Sequence, residues 1–381
     1  MRLEAAIAWR YLRSRKGPRL LSLISVIAMG GVVVGVSALI LVLGVMTGLQ
    51  QDLRDKILIG SPDLRVLTLG EDLVMSDWEK TLAMVRRQPD VLAAQPFVLK
   101  DALITKGNDY AEPVKAFGVL PLRAGEPDVT DIRRHVRAGS FTFASPDTNP
   151  AIVLGQKLAE RLNVWPGEQV VLATAPGRLA LSGALGGFVP VVRRYTVTGV
   201  FETGMYEYDS GYAYMSLANA QELAGLGPSV TGIDVRVPDR WRANEVAERL
   251  ATTLGFPYRT LDWQEQNRSL FQALKLEKLA MAVILLLIVL VGFTGSLVLV
   301  VPAVGTGLGV ALGTGAAWAL RRFELVKLDP TVYFIDHLPV EIAPLDVALI
   351  AASSLAVTML ATLWPARQAA RLTPVEAIRH E

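Results

Sequence analysis

Three long stretches of this chain carry no charged side chain, and they restrict its architecture more than any other feature. Leu20 to Gln51 runs for 32 residues without Asp, Glu, Lys or Arg, Leu279 to Leu320 for 42, and Val347 to Ala366 for 20. A helix crossing the roughly 30 Å hydrocarbon core of a bilayer needs about 20 such residues. Only 19% of the 381 residues are charged, against about a quarter in soluble domains. An ordinary soluble enzyme is excluded, and so is a disordered chain. The polar region between the first two blocks is long enough to bury a core of its own.

Charge sets the expected topology. Residues 1–19 hold Arg2, Arg10, Arg13, Arg15, Lys16 and Arg19 against one acid, Glu4, which places this end in the cytoplasm by the positive-inside rule. Arg367, Arg371 and Arg379 follow the last block and place that end there too. The first apolar run is too long for the core of a signal peptide and reads as an uncleaved anchor. As a single helix the 42-residue block would be about 63 Å long, twice the hydrocarbon thickness. It therefore divides near Pro302, giving an even number of spans. The expected fold class is a membrane protein: four transmembrane helices with a large α+β periplasmic domain between spans one and two. The expected segments are a basic cytoplasmic N-terminus (1–19), helix one (20–49), the outer domain (50–278), helix two (279–301), helix three (302–320), an outer loop (321–346), helix four (347–366) and a cytoplasmic tail (367–381).

Within the outer region, Asp63–Leu69 and Arg194–Val200 have the alternation and β-branching of strands. Residues 155–163 and 241–254 have helical spacing, the latter with Ala243, Val246, Leu250 and Leu254 on one stripe. Tyr206, Tyr208, Tyr212 and Tyr214 share a parity that predicts one aromatic sheet face. From Ala173 to Pro190, glycine and proline break both periods and predict a long hairpin or loop, a kind often functional.

Catalytic chemistry is missing from the sequence. The chain has no cysteine, and His135, His337 and His380 lack ligand spacing. No nucleophile elbow or phosphate loop is present. Gly305, Gly309 and Gly313, four apart, predict a smooth helix face for close packing, as do Gly31 with Gly35 and Gly44 with Gly48. The spans contain no charge to relay protons, so any work must be driven by a partner. The basic N-terminus abuts an apolar run instead of a folded reading surface, which argues against nucleic acid.

Four stretches resemble one family. AWRYLRSRKGPRLLSLISVIAMGGVVVGVSALILVLGVMTGLQQDLRDKIL at the start, LDWQEQNRSLFQALKLEKLAM at the exit from the outer domain, VYFIDHLPVEI in the second outer loop and LWPARQAARLTPVEAIRHE at the end are similar to the LolC/LolE membrane subunits of the lipoprotein-releasing ABC transporter. The ending is shared more widely with MacB-like and FtsX-like permeases. The resemblance implies a permease without catalytic residues or a cofactor of its own. ATP and Mg would be bound by a partner ABC-type ATPase present in two copies. A second LolC/LolE-like permease, a periplasmic lipoprotein chaperone and triacylated lipoproteins would be its other partners. A MacB-like export subunit and an FtsX-like signalling protein controlling a cell-wall hydrolase are the competing readings.

Two site expectations follow. Val42, Leu43, Val45, Met46 and Leu49, the uncharged outer end of the first span, are expected to contact acyl chains, methionine adapting to irregular apolar shapes. Leu181, Leu185 and Phe188, with Arg193 and Arg194 at the base of their loop, are expected to dock the chaperone. The family also implies a basic cytoplasmic coupling segment between spans two and three. Here Val300-Val301-Pro302-Ala303 stands at that junction with no polar residue. The expectation is a segment missing from the chain as written, marked by a Cα step well beyond 3.8 Å within residues 297–304. The alternative is true loss of the segment.

Overall fold

The computed structural model describes residues 19–69, 74–107, 110–122, 125–145, 147–175, 190–293, 300–323 and 338–369. These fall into two units. Leu53–Ser269 forms one, while the other collects residues up to Asp52, Leu270–Asp329 and Asp336–Glu381. The junction at 294–299 lies outside the described residues; from Val300 on the chain is continuous helix, so no enlarged Cα step falls within 300–304.

Helix α1 (Arg19–Gly60) runs 42 residues without a proline to break it, and so continues nine residues past Gln51, the last of the uncharged block. The helical unit also contains most of α8 (Arg268–Phe293), together with α9 (Val300–Phe323) and α10 (Pro344–Ala369). Among the described residues, Met29–Gly60 and Ala303–Phe323 are long and apolar enough to cross a membrane, and Pro344–Val357 is a shorter apolar stretch. Val32, Val36, Leu39, Ile40 and Leu43 of α1 form a buried cluster with Ile350 of α10.

The glycine face of α9 packs as its spacing predicts. A Cβ at Gly305 would meet Val32 at 3.1 Å, one at Gly309 would meet Val36 at 2.7 Å, and one at Gly313 would meet Ser37 Cα at 2.9 Å. Gly44 and Gly48 face a different neighbour. Their open side is covered by the extended segment at Pro339–Glu341, whose Pro339 carbonyl would lie 2.6 Å from a Cβ at Gly48. The Glu341 N–H donates to the Gly44 carbonyl at 2.9 Å.

The outer unit is α+β. In chain order its elements are β1 (Leu64–Thr68), α2 (Trp78–Arg86), β2 (Ala93–Thr105), β3 (Ala111–Val119), β4 (Val136–Gly139), β5 (Ala151–Gly155), α3 (Gln156–Leu162), β6 (Gln169–Thr174), β7 (Val191–Phe201), α4 (Tyr206–Gly211), β8 (Tyr212–Ser216), α5 (Leu217–Ala224), β9 (Gly232–Arg236), α6 (Ala243–Leu254), β10 (Tyr258–Asp262) and α7 (Trp263–Gln266). The strands form one sheet in the order β10-β1-β9-β2-β3-β8-β5-β7-β4. Strand β6 pairs with both β2 and β7 and closes β2-β3-β8-β5-β7 into a ring. Two pairs, β3 with β8 and β5 with β7, are parallel. The other pairings are antiparallel, which keeps the domain out of the βαβ class.

The strands expected at 63–69 and 194–200 are β1 and β7, and the helices expected at 155–163 and 241–254 are α3 and α6. Ala243, Val246 and Leu250 are buried on the predicted stripe of α6. The tyrosine expectation needs correcting. Tyr206 and Tyr208 lie in α4, so a sheet face holds only Tyr212 and Tyr214. The cause is Asp209, whose carboxylate accepts from the Thr203 N–H at 2.7 Å, the Thr203 hydroxyl at 2.9 Å and the Gly204 N–H at 3.0 Å. That curls 203–209 away from strand geometry. Tyr208 nevertheless reaches Tyr212, their rings 4.9 Å apart, and joins the aromatic core of Phe97, Phe117 and Tyr214.

Candidate functional site

Near Thr47 and Gln50 of α1, three helices of the helical unit are tied by polar groups. The Lys278 ammonium of α8 donates to Thr47 Oγ1 of α1 at 3.0 Å and to Asp346 Oδ2 of α10 at 3.3 Å. Thr47 Oγ1 in turn lies 3.5 Å from the same carboxylate oxygen. Gln50 Nε2 donates to the Leu274 carbonyl at 3.2 Å, a second link from α1 to α8. Asp346 stands in the first turn of α10, where the helix dipole favours a negative charge. Lys278 and Asp346 are the residues that immediately precede the second and third uncharged blocks. Sequence reading missed the pair because it treated both only as the ends of apolar runs.

The five residues expected to meet acyl chains divide by face. Leu43 belongs to the buried cluster with Ile350, and Met46 is buried as well. Between α1 and α10, beside Leu43, Gly44 and Asp346, the free space is only about 10 Å³, room for at most one water. Val42, Val45 and Leu49 are half-buried and share one stripe by their spacing of three and four. That stripe continues down the helix to Val34 and Ile27, both about two-thirds exposed at 66% and 65%. An apolar ligand meeting α1 has this stripe open to it.

In the outer domain, Arg193 and Arg194 alternate on β7. Arg193 is paired with Glu222 of α5, and Arg194 is exposed on the other face. Leu181, Leu185 and Phe188 lie outside the described residues. Their segment links two antiparallel neighbours, since β6 and β7 stay in register as far as Thr174 opposite Val191.

The same domain buries charge. Arg65 of β1 donates from Nε to Asp234 Oδ1 of β9 at 2.9 Å, and its guanidinium lies 4.9 Å from the Phe97 ring centre and 5.6 Å from that of Phe117. Asp234 is sealed from solvent, and desolvation pushes its carboxyl up to about 6 despite the arginine. Burial likewise raises Asp63 and Asp209. His135 Nδ1 is 2.9 Å from the Asp131 carbonyl. These groups sit inside the fold, hydrogen-bonded to it.

Comparison with known proteins decides what these features belong to. Residues 25–253 match the MacB-like periplasmic core domain. The whole chain is 31% identical to the lipoprotein-releasing system transmembrane protein LolC of Xylella fastidiosa, covering 99% of that protein. It is 32% identical to LolC of Neisseria meningitidis serogroup B, again over 99% of that protein. This chain belongs to the LolC/LolE family. Haemophilus influenzae LolE is 23% identical over 98% of both chains. The solved periplasmic region of MacB from Actinobacillus actinomycetemcomitans is 13% identical, with a TM-score of 0.35, and covers 55% of this chain and 92% of that one. As a LolC/LolE protein the chain is a membrane permease with a periplasmic domain.

Proposed function

We propose that this chain is the permease subunit of an ABC transporter that extracts triacylated, outer-membrane-destined lipoproteins from the inner membrane and passes them to a soluble periplasmic chaperone. End-to-end similarity to LolC carries the reading. In it the chain crosses the inner membrane four times, keeps both termini in the cytoplasm and holds the MacB-like domain between spans one and two. Two copies of a partner ATPase supply the energy from ATP with Mg, and a second LolC/LolE-like permease completes the complex.

The open stripe of Val42, Val45 and Leu49 supports a role for outer α1 in acyl-chain contact. The burial of Leu43 and Met46 narrows that role to the stripe. The 175–190 connection, with Arg194 exposed beside it, supports chaperone docking. Removing residues 179–188 should then abolish chaperone binding, and intact binding would refute it. The match to the Xylella protein extends over 421 positions, although this chain has 381 residues, so the relative carries residues with no counterpart here. We place part of that difference at the junction of spans two and three, where no charged residue stands.

Release of tagged lipoprotein from proteoliposomes into the soluble fraction, with ATPase and chaperone added, tests the function. Leu49→Asp should cut release at least tenfold while the complex still assembles. Unchanged release would overturn the acyl-contact role, and no release by the natural sequence would overturn the function itself.

A further inference from the structure

The two places where helices leave the outer domain, the end of α1 and the start of α8, meet in one polar knot within that domain. Ile57 and Leu58 in the last turns of α1 are buried. A helix end leaves carbonyls without intrahelical partners, and here they are taken up from outside the helix. Asp131 N–H donates to the Ile59 carbonyl at 3.1 Å, and Arg240 Nη1 lies 3.4 Å from the Leu58 carbonyl. A guanidinium there also matches the negative end of the helix dipole. Three residues beyond the helix, buried Asp63 accepts from the Val237 N–H at 2.9 Å and has Arg240 Nε 3.1 Å from its other oxygen. Asp131 accepts from Arg240 Nη2 at 2.7 Å and from Arg236 Nη1 at 3.0 Å.

Arg240 holds the second crossing through its backbone. Its carbonyl accepts from the indole Nε1 of Trp263 at 2.9 Å, while the Trp263 N–H donates to the Asp63 carbonyl at 3.1 Å. Trp263 is fully buried, with Trp241 edge-on 5.6 Å away. It opens the turn α7, capped by Asp262, that leads directly into α8. One arginine thus touches the exit of α1 by two side-chain contacts, Asp131 beside it by a third, and the turn leading into α8 by its carbonyl. This gives a physical meaning to the LDWQEQN stretch, which the sequence presents only as a resemblance.

We propose that Arg240 is a positioning residue whose knot with Asp63, Asp131 and Trp263 makes the end of α1 and the start of α8 move with the outer domain as one body. Force reaching either helix is then delivered to the sheet instead of being lost in a frayed helix end. The inference rests on the permease reading, in which the energy source is a separate ATPase.

The test uses the full chain in its assembled, reconstituted complex, with the variants Arg240→Lys and Trp263→Phe. Lysine keeps the charge but cannot bridge two carboxylates and a carbonyl with a rigid fork. Phenylalanine keeps an aromatic ring but removes the Nε1 donor and, at this fully buried position, part of the indole's volume. Lipoprotein released per ATP hydrolysed should fall about tenfold in the double variant, with ATP hydrolysis within twofold of the natural level and thermal midpoint retained. Hydrogen exchange at residues 57–63 and 261–266 should quicken together at least tenfold, in each single variant as well. Unchanged exchange in either segment overturns the joint. So does a loss of release that merely follows a fall in thermal midpoint, which would mark the knot as ordinary fold stabilisation. Joint opening in a complex whose natural form releases no lipoprotein would uphold the knot and sink the function reading instead.

Discussion

In the helical unit α9 meets α1 through glycines, and the hydroxyls of Thr306 and Ser354 are the buried side-chain polar contact described between α9 and α10, 2.9 Å apart. The charged contact described in it, Lys278 within α8 to Asp346 in the first turn of α10, remains about 30% exposed (31% and 29%). The outer domain does the opposite. Asp63, Asp209 and Asp234 are sealed inside it, each held by arginines or backbone N–H groups. A bilayer offers no water to a polar group displaced during folding, so helices meant for it use close backbone packing. A domain folding in water can desolvate a charge once its partner is fixed, and then depends on that partner. The two units should therefore fail under different substitutions.

The largest effect is expected in the outer domain. Asp234→Ala strips the buried Arg65 of its counter-charge, and breaking such a pair costs about 3–5 kcal/mol. Chemical unfolding of the full chain, followed by tryptophan fluorescence, measures it. Replacing both partners, Arg65→Met with Asp234→Leu, should recover most of the loss, because the cost comes from the orphaned charge. If the single and double variants unfold alike, charge burial is not what distinguishes this domain.

Acidity should move the same site. The Asp234 carboxyl, at about 6 in the folded chain, has an ordinary value of about 4 when unfolded. The folded state then binds the proton first, so the associated stability is complete below pH 4 and is lost as pH rises through 6. Asp63, Asp128 and Asp209 are also raised by burial and act in the same direction. Asp131, Glu160 and Glu168 are depressed by their hydrogen bonds, and their contribution is lost only as pH falls below about 4. Lowering pH from 7 to 5 should thus raise the thermal midpoint of the outer domain, by roughly 1.3 kcal/mol of stability from Asp234. The rise should shrink in the charge-free double variant. A midpoint that drops over this range would show the buried carboxylates to be fully ionised and paired.

Next in size comes the glycine face. Gly309→Leu forces a side chain into Val36 and the Val33 carbonyl, while Gly307→Leu, two residues earlier, points into open space. Overpacking costs about 1–3 kcal/mol, so Gly309→Leu should lower resistance to detergent unfolding and Gly307→Leu should not. Equal effects would mean helix propensity, not contact, governs α9.

These contrasts also explain what could be read in advance. Block lengths, the 305–309–313 glycine face and the stripe of α6 were legible because helical period and apolarity are local properties. The ring closed by β6 was not, since its pairing with β2 and β7 joins strands by register alone. The tyrosines misled because parity describes a strand, whereas three hydrogen bonds to Asp209 bend 203–209 out of one. The acyl-contact stripe was half legible. Five apolar residues within eight mark the region, but only the folded structure, with Leu43 clustered on Ile350 and Met46 buried, separates these two from Val42, Val45 and Leu49. Lys278 and Asp346 were visible as block borders, and nothing in a linear pattern says that two borders 68 residues apart meet.

That meeting carries the smallest expected effect. Lys278 and Asp346 are each about a third exposed, so water screens their attraction and a pair of this kind contributes about 0.2–1 kcal/mol. Thr47 adds a neutral acceptor to the same ammonium, which holds the lysine in place more than it strengthens the charge interaction. A double-mutant cycle with Lys278→Ala and Asp346→Ala should give a coupling of about 0.5 kcal/mol in detergent unfolding. Raising salt from about 0.1 M to 1 M shortens the screening length from about 10 Å to 3 Å, and the coupling should fall with it. A coupling several times larger and indifferent to salt would mean the pair is shielded from water when the complex is assembled. The helical unit would then bury charge as the outer domain does, and the contrast between the two would hold only for the isolated chain.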